Sequence, residues 1–326
     1  MATNVTFIIG NGLDLSLGLK TSYADFYKYV IENNLLGDNK IYKKIADRPD
    51  NWSDFETALG KYTYYIEDFA EDKREDESIE FHRQLDVIRD DLADYLQSQE
   101  ASIENLPDKF TLATDEDGLY GDLNPGQKTI LNALLYEKPV YLNFVSLNYT
   151  STLEKILSGD VLFSSRGYHI QQPQHLHGSF DLYMTLGVSE KTQLFDGMSA
   201  REKNDLIKPR LIDSSNDGRI SAFSQTLISS SLVILFGTSL GKTGAYIWQD
   251  VVRWLRQQNG RYVLIHKYDP EYTTRVKRSA RAENAYTNNV QDQLLSYLAI
   301  SDQEKQDLKR RIFVVHNTDK LFVPKK

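Results

Sequence analysis

Four short stretches of this chain carry side chains suited to handling a sugar and its phosphates. The first is Gly10-Asn11-Gly12-Leu13-Asp14, a glycine-polar turn that follows directly on the apolar run Thr6-Phe7-Ile8-Ile9. A phosphate reaches backbone N–H groups only where side chains are missing. A strand emptying into such a turn and then a helix is a usual way to build that site. The same residues also suit any tight strand-to-helix turn. Asn148 stands in Val145-Ser146-Leu147-Asn148-Tyr149-Thr150, and His177 in His175-Leu176-His177-Gly178-Ser179. The fourth stretch is Gly237-Thr238-Ser239-Leu240, again at the end of an apolar run.

Each residue type has a specific use. Asn148 offers one acceptor and two donors, suited to holding ribose hydroxyls or a water; its alternative use is to cap the following helix. His177 can take a proton from that water or hydroxyl near neutral pH, or it can be a hydrogen-bonded core histidine. Asp14 can accept hydrogen bonds from ribose hydroxyls, and Gly178 would let a ligand pass close by. The N–H groups of Gly10 to Gly12 and the helix start behind them can hold a diphosphate without an arginine. Ser239 either touches a ribose or caps the next helix, and Tyr149 suits core and site equally. His175 and His177 would face one side of a strand and suggest a metal, but no third ligand stands at a convincing spacing. No metal site is expected.

Short apolar runs must place these groups. Val5 to Ile9, Val140 to Leu147, Leu232 to Phe236, Tyr262 to Ile265 and Ile312 to Val315 are β-branched or aromatic and nearly continuous in apolar character. They read as strands buried on both faces, hence as a parallel sheet. Helical stretches alternate with them; Gly241 to Gln257 sets Ile247, Val251, Trp254 and Leu255 on one face. This predicts an open α/β sheet whose strand ends converge on one edge, where ligands bind. The stretch from Ile31 to Pro139 differs. It holds Phe55, Leu59 and Tyr62 at helical spacing, then Phe81, Leu85, Ile88, Leu92 and Tyr95, with no strand signal. It reads as a helical insertion closing over the sheet's carboxyl end, with Glu71 to Glu77 as an exposed loop or helix end.

Composition narrows the function classes. With 326 residues, 40% hydrophobic, the chain can build one large or two ordinary domains. It has no Cys, which removes disulfides, thiol nucleophiles and cysteine-based zinc modules and fits a reducing cytoplasm. No apolar run approaches the roughly 20 residues of a membrane span. The net charge of −8 repels nucleic acid, and the basic cluster Arg275, Lys277, Arg278 and Arg281 reads as a solvated helix face.

In this order and at these strand ends, the motifs resemble the sirtuin NAD-binding fold: its Gly-rich turn, Asn-bearing strand end, His-Gly element and Gly-Thr-Ser-Leu turn. The likeness is closer still to the AbiH-type abortive-infection proteins, a bacterial antiphage family in the wider sirtuin-like group. Gly10 to Asp14 with Gly18-Leu19-Lys20-Thr21-Ser22-Tyr23 is similar to that family's N-terminal signature. Asn148-Tyr149-Thr150, His177-Gly178 and Trp52-Ser53-Asp54-Phe55-Glu56 are similar to its other motifs. Two departures stand out: no cysteine-bound zinc module, which argues against peptide deacylation, and His266 where sirtuins often place an Asn.

The resemblance implies a sirtuin-like, Rossmann-type domain over 1–30 and 140–326, with the helical insertion at 31–139. It implies NAD, or a related nucleotide, as substrate. Gly10, Asn11, Gly12, Asp14, Thr21, Gly178, Gly237 and Ser239 would bind it, Asn148 and His177 would be catalytic, and Glu56 would be a lid residue facing the ribose. The implied activity is a cytoplasmic NAD glycohydrolase serving abortive infection, kept latent until a phage-derived trigger or homo-oligomer assembly releases it. Two alternatives use the same site: a sensor that binds NAD or ADP-ribose without hydrolysis, and transfer of ADP-ribose to protein.

Overall fold

The computed structural model describes residues 2–46, 55–107, 110–112, 120–121, 123–135, 139–158, 168–215, 218–317 and 321–324. Nine strands are found among them: β1 (Thr3–Ile9), β2 (Phe110–Leu112), β3 (Val140–Ser146), β4 (Tyr168–Ile170), β5 (Gln174–His175), β6 (Leu232–Phe236), β7 (Tyr262–Lys267), β8 (Ile312–His316) and β9 (Phe322–Pro324). Seven of them form one sheet in the order β4-β3-β1-β6-β7-β8, with β5 also on β3. Every pairing in that sheet is parallel. From β1 the chain winds outward through β3 to β4, then returns to β1's other side and winds out through β6, β7 and β8. That is the order of a doubly wound, Rossmann-type sheet, and its direction reverses between β1 and β6.

The strands are apolar throughout because both faces are covered. β6 and β8 are buried at every position. Alternate residues point to opposite faces, and the packing follows: Phe7 stacks on Phe144 in one core, while Ile8 and Val145 belong to another. The helix Ala245–Gln257 covers the second face with Ile247, Val251, Trp254 and Leu255, as its spacing predicts. It starts later than the apolar pattern suggests, because Lys242–Gly244 forms a 3₁₀ turn first.

Between β1 and β3 the chain is mainly helical. The helices Tyr23–Glu32, Lys40–Ala46, Phe55–Tyr62 and Arg74–Glu104 meet in a third core around Phe26, Tyr42, Phe55 and Phe81. In the longest of them Phe81, Leu85, Ile88, Leu92 and Tyr95 are all buried, so the sequence periodicity is the packing face. Glu71, Asp72, Lys73, Glu75 and Asp76 are exposed around its start. This core also takes Met184, Leu186, Leu194 and Leu206 from the segment between β5 and β6. One expectation fails here: β2 lies inside the insertion and pairs antiparallel with β9. Three residues are too few to show a strand period. Trp52 to Asp54 lie outside the described residues. Among the described residues no helix is long and apolar enough to cross a membrane.

Candidate functional site

At the reversal point the turns after β1 and β6 press directly on each other. Gly10 N–H donates to Phe236 O and Gly12 N–H to Gly237 O, each at 2.9 Å. A Cβ on Gly12 would stand 2.4 Å from Gly237 Cα, and Gly237 itself has φ +65°. Glycine is demanded here by backbone packing as much as by any ligand. The expectation that these amides hold a diphosphate is corrected in part: those of Gly10 and Gly12 are committed, and among the described residues Asn11 N–H is the one of the three without a bond to the chain.

Asn11 and Thr21 tie their loop shut. Asn11 Nδ2 donates to Thr21 O at 3.1 Å, and Thr21 Oγ1 donates to Asn11 Oδ1 at 2.7 Å. Ser22 then caps the helix Tyr23–Glu32 by accepting from Asp25 N–H.

Asp14 is fully buried. Its Oδ1 accepts from Asn148 Nδ2 at 3.3 Å and its Oδ2 from Thr150 Oγ1 at 2.7 Å. Burial pushes its carboxyl pKa up, against the lowering effect of hydrogen bonds from Thr150, Thr152, Thr21 and Asn148. Asp14 therefore positions Asn148, where sequence alone suggested a ribose acceptor. Asn148 does not cap the helix Thr152–Ser158 either: it stands four residues before Thr152, no helix N–H among the described residues is found donating to its Oδ1, and its Nδ2 also donates to Gly10 O at 3.2 Å. Two acceptors facing Nδ2 fix which way the amide points. What Asn148 has left to offer a ligand is the carbonyl oxygen Oδ1.

The two histidines are used differently. His175, on β5, places Nδ1 2.9 Å from Asn148 O and Nε2 2.7 Å from Glu154 Oε1. Carbonyl and carboxylate are both acceptors, so holding both bonds requires both ring protons: an imidazolium. Burial works against that charge, yet the hydrogen bond and charge of Glu154, the Asn148 carbonyl and the charge of Asp181 hold the ring's pKa above its usual 6.5. The sign follows from linkage: a raised folded pKa gives stability that is complete below about 6.5 and lost as pH rises through the folded value. We expect an NMR titration of His175 to give a midpoint above 6.5, and His175→Gln to flatten the decline in stability above that pH. A midpoint below 6.5 would rule out the imidazolium.

His177 lies in the turn after β5 and is 6% exposed. Its Nε2 is 2.7 Å from the hydroxyl of Tyr246, on the helix Ala245–Gln257. With the ring proton on Nδ1 the Tyr246 hydroxyl donates to Nε2, and with it on Nε2 the hydroxyl accepts. Burial and the charge of Lys208 drive the pKa well below 6.5, and the ring is neutral. Gly178 is not among the residues lining the cavity, and its role is corrected: with φ +78°, a Cβ would stand 2.2 Å from Tyr183 O. The residue serves the turn. The two rings bond to separate partners, Glu154 and Tyr246, and do not share a ligand geometry.

These parts open into one cavity of about 1000 Å³ along the carboxyl edge of the sheet. Gly10, Asn11, Gly12, Asp14 and Thr21 line it, as do Asn148 and His177, and Gly237 and Ser239. Ser239 is exposed there, and the 3₁₀ turn that follows has no side-chain cap. Tyr23, Glu56, Leu92 and Leu96, from the helices between β1 and β3, line it as well.

Glu56 is no surface carboxylate. It is 6% exposed, and its Oε2 receives Lys208 Nζ at 2.5 Å, a lysine only 3% exposed. Lys208, Tyr246 and Thr150 escape a sequence reading. Lys208 sits in Leu206-Ile207-Lys208-Pro209, where nothing marks a buried charge, and Tyr246 is one aromatic on an amphipathic helix. Thr150 does lie in the Asn148 motif, and its place two residues after Asn148 is the one signal that was there to use.

No curated protein matches this chain. A family model described as bacteriophage abortive infection AbiH matches residues 6–266, a span running from β1 into β7 and holding Asp14, Asn148, His177 and the Gly237 turn, so the chain belongs to that family.

Proposed function

We propose that this protein, in the sirtuin-like manner, hydrolyses the N-glycosidic bond of NAD or a close relative. Family membership supports a role in abortive infection of bacteriophage. The observation that carries the enzymatic reading is the Asn148 amide, held by Asp14 and Gly10 at the reversal point of a doubly wound sheet, beside His177 in the same cavity.

The chemistry asks little of an acid. The bond from ribose C1′ to the nicotinamide nitrogen breaks with its electron pair going to nitrogen, and nicotinamide leaves neutral. Water adds to C1′ and loses one proton, giving ADP-ribose. The chain must stabilise an oxocarbenium-like ribose and orient the water. Asn148 Oδ1 accepts from a ribose hydroxyl or that water, and neutral His177 is in the protonation state that can take the proton.

Tyr246 stands in the way. Its hydroxyl lies 2.7 Å from Nε2, so that nitrogen takes a proton from a bound water only when Tyr246 yields or relays it. This contact supports latency in the resting chain. It also favours a second reading, a nucleotide sensor that binds without hydrolysing.

The test follows nicotinamide release by the purified chain and by Tyr246→Phe. Slow release that rises in the variant is expected. Stabilisation by ADP-ribose with no product from either protein would establish the sensor instead. A covalent mark from labelled NAD would point to transfer onto protein. Neither product nor stabilisation would end the nucleotide reading.

A further inference from the structure

The cavity continues past the Asn148 end. At the end of β7 the chain reads His266-Lys267-Tyr268, and all three residues line it. β7 lies three places from β3 across the sheet, on the far side of β1 and β6. At ~4.8 Å per strand that is a separation of ~14 Å. A dinucleotide with one glycosidic bond beside Asn148 and its diphosphate at the Gly10 and Gly237 turns brings its second nucleoside to the ends of β6 and β7.

What waits there is cationic and aromatic. Lys267 is half-buried, and among the described residues no hydrogen bond or ion pair holds its ammonium. Tyr268 beside it is 65% exposed, a free ring face for a base. The acids among the described lining residues are Asp14 and Glu56. Both are committed elsewhere, Asp14 to Asn148 and Thr150, and Glu56 to Lys208. No lining carboxylate is therefore left to take the hydroxyl pair of a plain second ribose. A carboxylate in that role binds the 2′-hydroxyl and repels a 2′-phosphate; a cation does the reverse. His266, neutral because burial lowers its pKa to about 4, adds no competing charge. Lys267 and Tyr268 lie just beyond the stretch matched by the family model.

We propose that Lys267 makes this end of the cavity select a 2′-phosphorylated ribose, so that the site takes dinucleotides of the NADP class in preference to NAD. The inference rests on the nucleotide reading above.

The test measures binding of ADP-ribose and of its 2′-phosphorylated form by calorimetry, so that no turnover is needed. The chain, Lys267→Met and Lys267→Glu are compared, with thermal melts to show that each is folded. The expected result is at least about tenfold tighter binding of the phosphorylated form by the chain. Lys267→Met should bring the two ligands within about twofold through loss of that charge-assisted contact, and Lys267→Glu should invert the order. Equal or tighter binding of ADP-ribose by the unaltered chain overturns the selectivity and leaves the nucleotide reading standing. A preference that survives both substitutions overturns the role of Lys267. Binding of neither ligand removes the inference and the reading together.

Discussion

Asn148→Ala is expected to reduce nicotinamide release by about 10²–10³-fold in kcat/KM, the scale seen when one oriented polar group is lost from a reacting centre. The amide is almost fully buried and its Nδ2 is already spent on Gly10 O and Asp14 Oδ1. Alanine removes the Oδ1 acceptor and also takes the amide donor from Asp14 Oδ1, while Gly10 O keeps the Leu13 N–H. A buried group left unsatisfied costs about 1–3 kcal/mol, so the melting temperature should fall while the circular dichroism spectrum keeps its shape. Asn148→Asp should do no better. It turns an oxygen toward two acceptors and sets a second carboxylate against Asp14. The measurement is steady-state release in the Tyr246→Phe background, where the resting contact no longer limits the rate. A loss smaller than about threefold in a folded variant would remove Asn148 from the chemistry.

The second large effect concerns stability. Lys208→Met is expected to cost about 3–5 kcal/mol, because it removes the buried lysine charge that pairs with the buried Glu56 carboxylate. Pairing that change with Glu56→Leu should recover most of the loss, since two desolvated charges are replaced by apolar groups of similar size. Equilibrium unfolding in guanidinium reads both. The same substitution should let the His177 pKa rise, because the Lys208 charge is one of the causes that depress it. A cost below about 1 kcal/mol would mean that the pair is worth no more than an exposed one.

Much of the sheet was legible because its strands are long and apolar on both faces. β6 coincides with the run Leu232 to Phe236, and β1, β3, β7 and β8 differ from their runs by one or two residues at an end. β2, β4 and β5 were not legible. They have three, three and two residues, and neighbouring strands, not local pattern, make them strands. The glycines at 10, 12 and 237 announced a close approach, but sequence does not say whether the approaching atoms belong to a ligand or to the chain. Here the chain accounts for part of it. Motif residues such as Asp14 and Asn148 were visible, while the direction of each side chain was not. Asp14 faces Asn148 and Thr150 only because β1 and β3 are neighbours in register. Glu56 was visible too, but its partner comes from 152 residues further along the chain.

The central place of β1 has a consequence during synthesis. It leaves the ribosome before both of its neighbours, since Val5 pairs with Leu142 on one side and Leu232 on the other. At ordinary elongation rates the second neighbour emerges on the order of tens of seconds later. Until then an apolar ribbon has an unpaired edge, the kind of surface that chaperones cover. A nascent chain halted before β6 also lacks the Gly237 turn and the whole far wall of the cavity. An incomplete copy of this protein thus carries only part of the cavity's lining.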